Sequence, residues 1–104
     1  MPSLYFRRGL ILSDRGDLAG ARREFTSALD EAGRHRYVEA REEMTVKSQN
    51  ALGIIAWTEG QYTETMRWLT MAEEEQTRAG GNWVPDVTAN RKRLEGIIAS
   101  PQTR

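Results

Sequence analysis

Two seven-residue segments decide the fold: Arg15-Gly16-Asp17-Leu18-Ala19-Gly20-Ala21 and Glu59-Gly60-Gln61-Tyr62-Thr63-Glu64-Thr65. Each sets a glycine turn between two stretches of helical period. After the first turn, apolar or small residues recur at Leu18, Ala21, Phe25, Ala28, Leu29 and Ala32. Steps of three and four place them on one face of an α-helix. Asp17 suits the N-cap, because its carboxylate can accept from the free N–H groups of the first turn. Gly33 suits the stop.

Working outward, residues 3–15 predict a first helix with Leu4, Tyr5 and Leu12 beside a Phe6–Leu10–Ser13 line. A longer helix is expected over about 36–59, with Tyr37, Ala40, Met44, Ala51, Leu52 and Ile55 close to one face. The next is expected over 62–79, with Tyr62, Met66, Leu69 and Ala72 inside. Gly80-Gly81-Asn82 forms a loop. A last helix over about 84–99 presents Val84, Val87, Leu94, Ile97 and Ile98, with Pro85 in its first turn. Residues 100–104 read as a frayed tail. No strand pattern occurs, and Gly53-Ile54-Ile55-Ala56-Trp57 sits inside a longer helical period.

The chain repeats itself. Gly9 and Gly53, Gly16 and Gly60, and Ala28 and Ala72 are each 44 residues apart, and the same shift sets Phe25 on Leu69. A small residue in mid-helix lets a partner helix approach closely.

These positions resemble the tetratricopeptide repeat family, whose pattern runs aromatic, Leu-Gly, Tyr, then Ala, three residues, Phe. Tyr5, Gly9 and Leu12 stand for the first helix of the first unit, and Ala21, Phe25 and Ala28 for the second. Leu52, Gly53 and Ala72 match in the second unit. Arg8, Gln49, Ala56, Thr65 and Thr77 depart from the pattern, and Gly33 takes the place of the helix-ending proline. The repeat is longer than the usual length of about 34 residues, as in the long-repeat relatives of bacterial regulators and kinesin light chains. The resemblance implies an all-α domain over residues 1–104 made of antiparallel helix pairs stacked as a short right-handed repeat. Its two units span about 4–33 and 36–79, and a C-terminal capping helix spans about 84–99. An ordinary bundle of four or five helices is the other reading.

Composition narrows the function. Lysine plus arginine equals aspartate plus glutamate, 15 of each in 104 residues, so no basic field marks a nucleic-acid binder. Absence of cysteine excludes disulfides and thiolate chemistry. No apolar run is long enough to span a bilayer, and residues 1–12 do not read as a signal peptide. The expected setting is cytoplasmic. His35 is the lone histidine, between Arg34 and Arg36, and reads as a solvated turn. Glu42-Glu43 and Glu73-Glu74-Glu75 read as solvated faces, since adjacent helical positions diverge. Glu59 and Glu64 could share a side across their turn, but a metal or acid–base pair would need a second helix to contribute. Arg15-Gly16-Asp17 is explained by the turn. No catalytic residue, metal ligand or cofactor is assigned.

The resemblance also implies where a ligand would lie. The first helix of each pair lines a concave groove, which assigns Phe6, Leu10, Lys47, Asn50, Ile54, Trp57 and Arg93 to partner binding, with Ser13, Asp14, Thr58 and Asn90 nearby. Aromatic and aliphatic anchors with a few donors suit a peptide segment or a partner helix. Phe6 and Leu10 replace the lysine and asparagine with which chaperone-binding members clamp a carboxylate, so that specificity is not expected. Two readings stand for the stripe: an open groove, or core beneath the last helix. The function expected is an adaptor, chaperone or regulatory scaffold that binds another protein. A homo-oligomeric structural protein, a homodimer for instance, is the alternative. A nucleic-acid binder or small enzyme ranks below both.

Overall fold

In the computed structural model, which describes residues 3–99, the chain forms five α-helices: α1 (Leu4–Asp14), α2 (Leu18–Gly33), α3 (Val38–Thr58), α4 (Tyr62–Ala79) and α5 (Val87–Ala99). No strand occurs among the described residues. The expected tail, residues 100–104, lies outside them. No helix is long and apolar enough to cross a membrane among the described residues.

The 44-residue spacing returns as geometry. Gly16 and Gly60 both take a left-handed backbone, φ 83° and 76°. That region is open to glycine at little steric cost. In the first turn the amide of Asp17 donates to the carbonyl of Leu12 at 2.9 Å; in the second, Gln61 donates to Ala56 at 2.8 Å. These bonds satisfy carbonyls that each helix end would otherwise leave free. Asp17 caps α2 by accepting from the Gly20 amide at 2.9 Å, as its sequence position predicts. Ser3 does the same for α1 through Phe6. Gln61 caps α4 without a side-chain bond.

Packing follows chain order. The main helix–helix contacts join α1 to α2, α2 to α3, α3 to α4 and α4 to α5. The molecule is an elongated slab of 51 × 32 × 17 Å. Its interior divides in two. Ala21, Phe25, Leu52 and Ile55 form one cluster, flanked by Phe6, Leu12, Leu18, Leu29, Ala51 and Trp68. Val46, Leu69, Ala72, Val87 and Leu94 form the other, flanked by Trp57, Met66, Trp83 and Val84. Phe25 and Leu69, one repeat apart, anchor one cluster each. Opposite them sit Gly9 and Gly53. A Cβ on Gly9 would lie 2.6 Å from the Phe25 ring, and one on Gly53 would lie 3.1 Å from a Leu69 methyl. Close helix approach is therefore the reason for both glycines.

Four details differ from the sequence reading. α3 begins at Val38, two residues later than expected, and Tyr37 is exposed. α5 begins at Val87, so Val84 and Pro85 belong to the connector. The cause is Gln76, nearly buried on α4. Its side-chain amide donates to the Val84 carbonyl at 3.0 Å, and its oxygen accepts from the Val84 amide at 2.8 Å. Tyr5 and Tyr62, expected inside, are partly exposed, and Ile97 and Ile98 are largely exposed. Tyr62 instead leans on Trp57, ring centroids 5.7 Å apart.

Candidate partner-binding cleft

α3 has no single apolar face because three surroundings claim it. Leu52, Gly53 and Ala56 face into the slab, Val46 and Ile55 belong to the two core clusters, and Lys47, Asn50 and Ile54 point to a third side. That third side is a cleft of about 350 Å³, walled by Phe6, Leu10 and Ser13 of α1 and by Lys47, Asn50, Ala51 and Ile54 of α3. Phe25 and Ile55 form its floor, and Trp83 and Val84 of the connector close its far wall. A second cavity of about 210 Å³ adjoins it, lined by Ile54, Trp57, Leu69, Asn90 and Arg93. Ile54 is the ridge common to both.

The seven residues assigned from sequence are thus distributed over two adjoining cavities. Five line the first, and Ile54, Trp57 and Arg93 line the second. Ser13 and Asn90 also line these walls; Asp14 and Thr58 do not. α5 packs along α4 and leaves Leu10 47% and Ile54 43% exposed. Phe6 is bound more closely to the interior, its ring 5.3 Å from that of Phe25.

Trp83 and Val84 were not assigned to the groove from the sequence; Val84 was expected on the last helix, and Trp83 follows a Gly-Gly-Asn loop, where helical period says nothing. The available signal was a tryptophan two residues before Pro85 in a connector, because exposed loops rarely carry so large an apolar side chain without a surface to cover. Its fixed position comes from the Gln76–Val84 bonds.

The polar groups around the cleft are unevenly satisfied. Lys47 pairs with Glu43 one turn away at 2.8 Å. Glu43 and Lys47 also line a separate pocket with Ser3, Glu31, His35 and Met44. Arg93 has no ion pair among the described residues. The Asn50 Oδ1 is buried without a hydrogen-bond partner. Among the described residues no carboxylate lines either cavity.

Several charges away from the cleft have structural partners. Arg22 of α2 reaches both Glu59 and Glu64, on either side of the α3–α4 turn. The second helix therefore supplies a cation, and the two carboxylates serve an ion-pair bridge between α2 and the α3–α4 turn. Hydrogen bonding to Glu64 raises the Arg22 pKa, and the reciprocal bond from Arg22 lowers that of Glu64. Glu73 is lowered first by a hydrogen bond from Thr88 and then by Arg91, 2.5 Å away on α5. Glu75 pairs with Arg78. His35 is partly buried; its Nδ1 accepts from the Tyr37 amide at 3.2 Å.

The class this architecture defines is an all-α protein of consecutively packed helices with an apolar cleft on one side. Comparison with family models, curated proteins and solved structures finds no match.

Proposed function

We propose that this chain is a protein–protein interaction module, with its helices arranged as a short right-handed stack of two tetratricopeptide-like pairs and a capping helix. It holds a peptide segment or partner helix in the cleft formed by α1, α3 and the α4–α5 connector. One observation carries the reading: Phe6, Leu10, Ile54, Trp57 and Trp83, from α1, α3 and the α4–α5 connector, converge on one partly open apolar channel. Tryptophan is enriched where interfaces concentrate their binding energy, and half-exposed aliphatic side chains grouped in a cleft mark a surface that gains by being covered. The matched turns at Gly16 and Gly60, with Gly9 against Phe25 and Gly53 against Leu69, support the repeat.

The test is affinity capture from the native host with the intact chain beside Leu10→Asp and Ile54→Asp. Both positions are half exposed, so circular dichroism should show unchanged helicity. Loss of the same captured protein from both variants is the expected result. Equal capture by all three chains would overturn the reading.

A second reading has its own observation. Leu4 and Ile11, seven residues apart on α1, are 64% and 51% exposed on the end of the stack. End units of a repeat array need a polar outer face unless something covers them. A homodimer through α1 would cover them. Sedimentation velocity over a range of concentrations decides it: a single monomeric species throughout would end this second reading.

A further inference from the structure

Resting on the cleft's role as a binding site, we infer that its occupant is an amphipathic helix of a partner protein, with two apolar anchors seven residues apart and acidic residues flanking them. The two cavities set the spacing. On α3, Asn50 and Ala51 line only the larger cavity, Trp57 lines only the smaller, and Ile54 lines both. Asn50 and Trp57 are two helical turns apart, about 10 Å along the axis at 1.5 Å per residue. A helix lying along α3 presents side chains at i and i+7 at that same separation and on one face. One anchor then enters each cavity while the backbone passes over Ile54.

The walls decide between a helix and an extended strand. Most of the cleft is made of α1, α3 and α5, whose mid-helix N–H and C=O groups bond within their own helices. The connector offers little more, because Val84 spends its amide and carbonyl on Gln76. An extended peptide would bury its own backbone groups here with almost no partners, and a buried group left unpaired costs its desolvation. A helix arrives with its backbone bonds already made. Asn50 Oδ1, buried and unpartnered, remains for one donor from the incoming side chains.

Charge completes the description. Lys47 and Arg93 border the two cavities; among the described residues no carboxylate lines either, Lys47 is paired with Glu43, and Arg93 has no ion pair. An acidic residue on the partner meets Arg93; a basic one there meets repulsion.

The experiment is selection of random 16-residue peptides displayed on phage against the full chain, with Ile54→Asp as the counter-selected variant. Enriched peptides should carry large apolar residues at i and i+7 and a net negative charge, and become helical by circular dichroism on binding. Their affinity should fall at least tenfold with Arg93→Glu, an exposed substitution that leaves helicity intact. Enriched peptides that depend on Ile54 but are proline-rich, lack the seven-residue spacing or bind Arg93→Glu equally well would overturn this inference and leave the cleft reading standing. Absence of any Ile54-dependent peptide would overturn both.

Discussion

At the scale of single residues, the glycines that pack and the arginine that bridges carry the most information. Gly53 faces Leu69 and the Trp68 Cβ at 3.1 and 3.2 Å from where its own Cβ would stand. Gly9 is tighter still: its Cβ would stand 2.6 Å from the buried Phe25 ring, so a methyl there must displace that ring, and overpacking of this kind costs about 1–3 kcal/mol. Gly9→Ala should therefore lower the urea midpoint with an unchanged slope, whereas Gly33→Ala, with open space around it, should leave packing intact. Arg22 is the residue that joins α2 to the α3–α4 turn through Glu59 and Glu64. The folded Glu64 carboxyl titrates below its ordinary value of 4.5, chiefly because Arg22 hydrogen-bonds to it. The unfolded chain then binds a proton at higher pH than the folded one. The stabilisation is complete above about pH 4.5 and is lost as pH falls through the lower folded value. Glu64→Gln should cost at most about 1 kcal/mol at pH 7, as expected for a partly exposed pair, and that difference should shrink toward zero at pH 3. Urea titrations of both chains at the two pH values check it; a difference independent of pH would assign Glu64 a packing role instead.

At the scale of elements, the α4–α5 connector is where sequence and structure part. The helices were legible because Leu18, Ala21, Phe25, Ala28 and Ala32 repeat at helical steps and because Gly16-Asp17 punctuates them. α3 was harder to read in detail. It touches α2, α4 and the cleft, so its apolar residues surround it and no single face stands out. The groove residues were found through the repeat, since Phe6, Leu10, Asn50 and Ile54 hold corresponding positions: Phe6 and Leu10 advance by 44 to Asn50 and Ile54. Nothing periodic reports on Trp83, whose place depends on a side chain seven residues before it. Gln76 substitutes for a backbone strand by bonding both the amide and the carbonyl of Val84. Gln76→Leu keeps much of the volume and removes both bonds, leaving two backbone groups unpaired in a part-buried setting. The expected loss is about 2 kcal/mol, with the Trp83 side chain freed from the cleft wall. Tryptophan emission should shift to longer wavelength in Gln76→Leu, and in Trp83→Phe the same glutamine substitution should produce no such shift. A shift of equal size in both would place the change at Trp57 or Trp68.

At the scale of the whole molecule, the chain is a sequence of neighbours with two small cores, and α3 is the element they share. Val46 serves one cluster and Leu52 and Ile55 serve the other. Stability in such an array is close to a sum of local terms and contacts between adjacent units, and regions with few buried partners open first. α5 contacts mainly α4 and contributes only Val87 and Leu94 to the buried interior, so it should exchange its amides fastest of the long helices even in the intact chain. Leu94→Ala removes one of those two anchors, a change worth about 2–5 kcal/mol in a packed site. If the two cores are separable, this loss should fall on α5 and the adjoining part of α4, leaving protection in α1 and α2 near its original level. Phe25→Ala, worth about 3–5 kcal/mol, should do the reverse: α1, held by Phe6 against Phe25, opens while α4 and α5 keep much of their protection. Native-state hydrogen exchange read helix by helix resolves the pattern. Uniform loss of protection in all five helices for both variants would mean that α3 couples the two cores into one cooperative unit. The cleft has its walls on both sides of that boundary, with Phe6 and Leu10 from the first core's side and Trp83 and Arg93 from the second. A separable pair of cores then predicts that an occupant spanning the cleft, by tying the two sides together, reduces exchange in α1 and α5 at once.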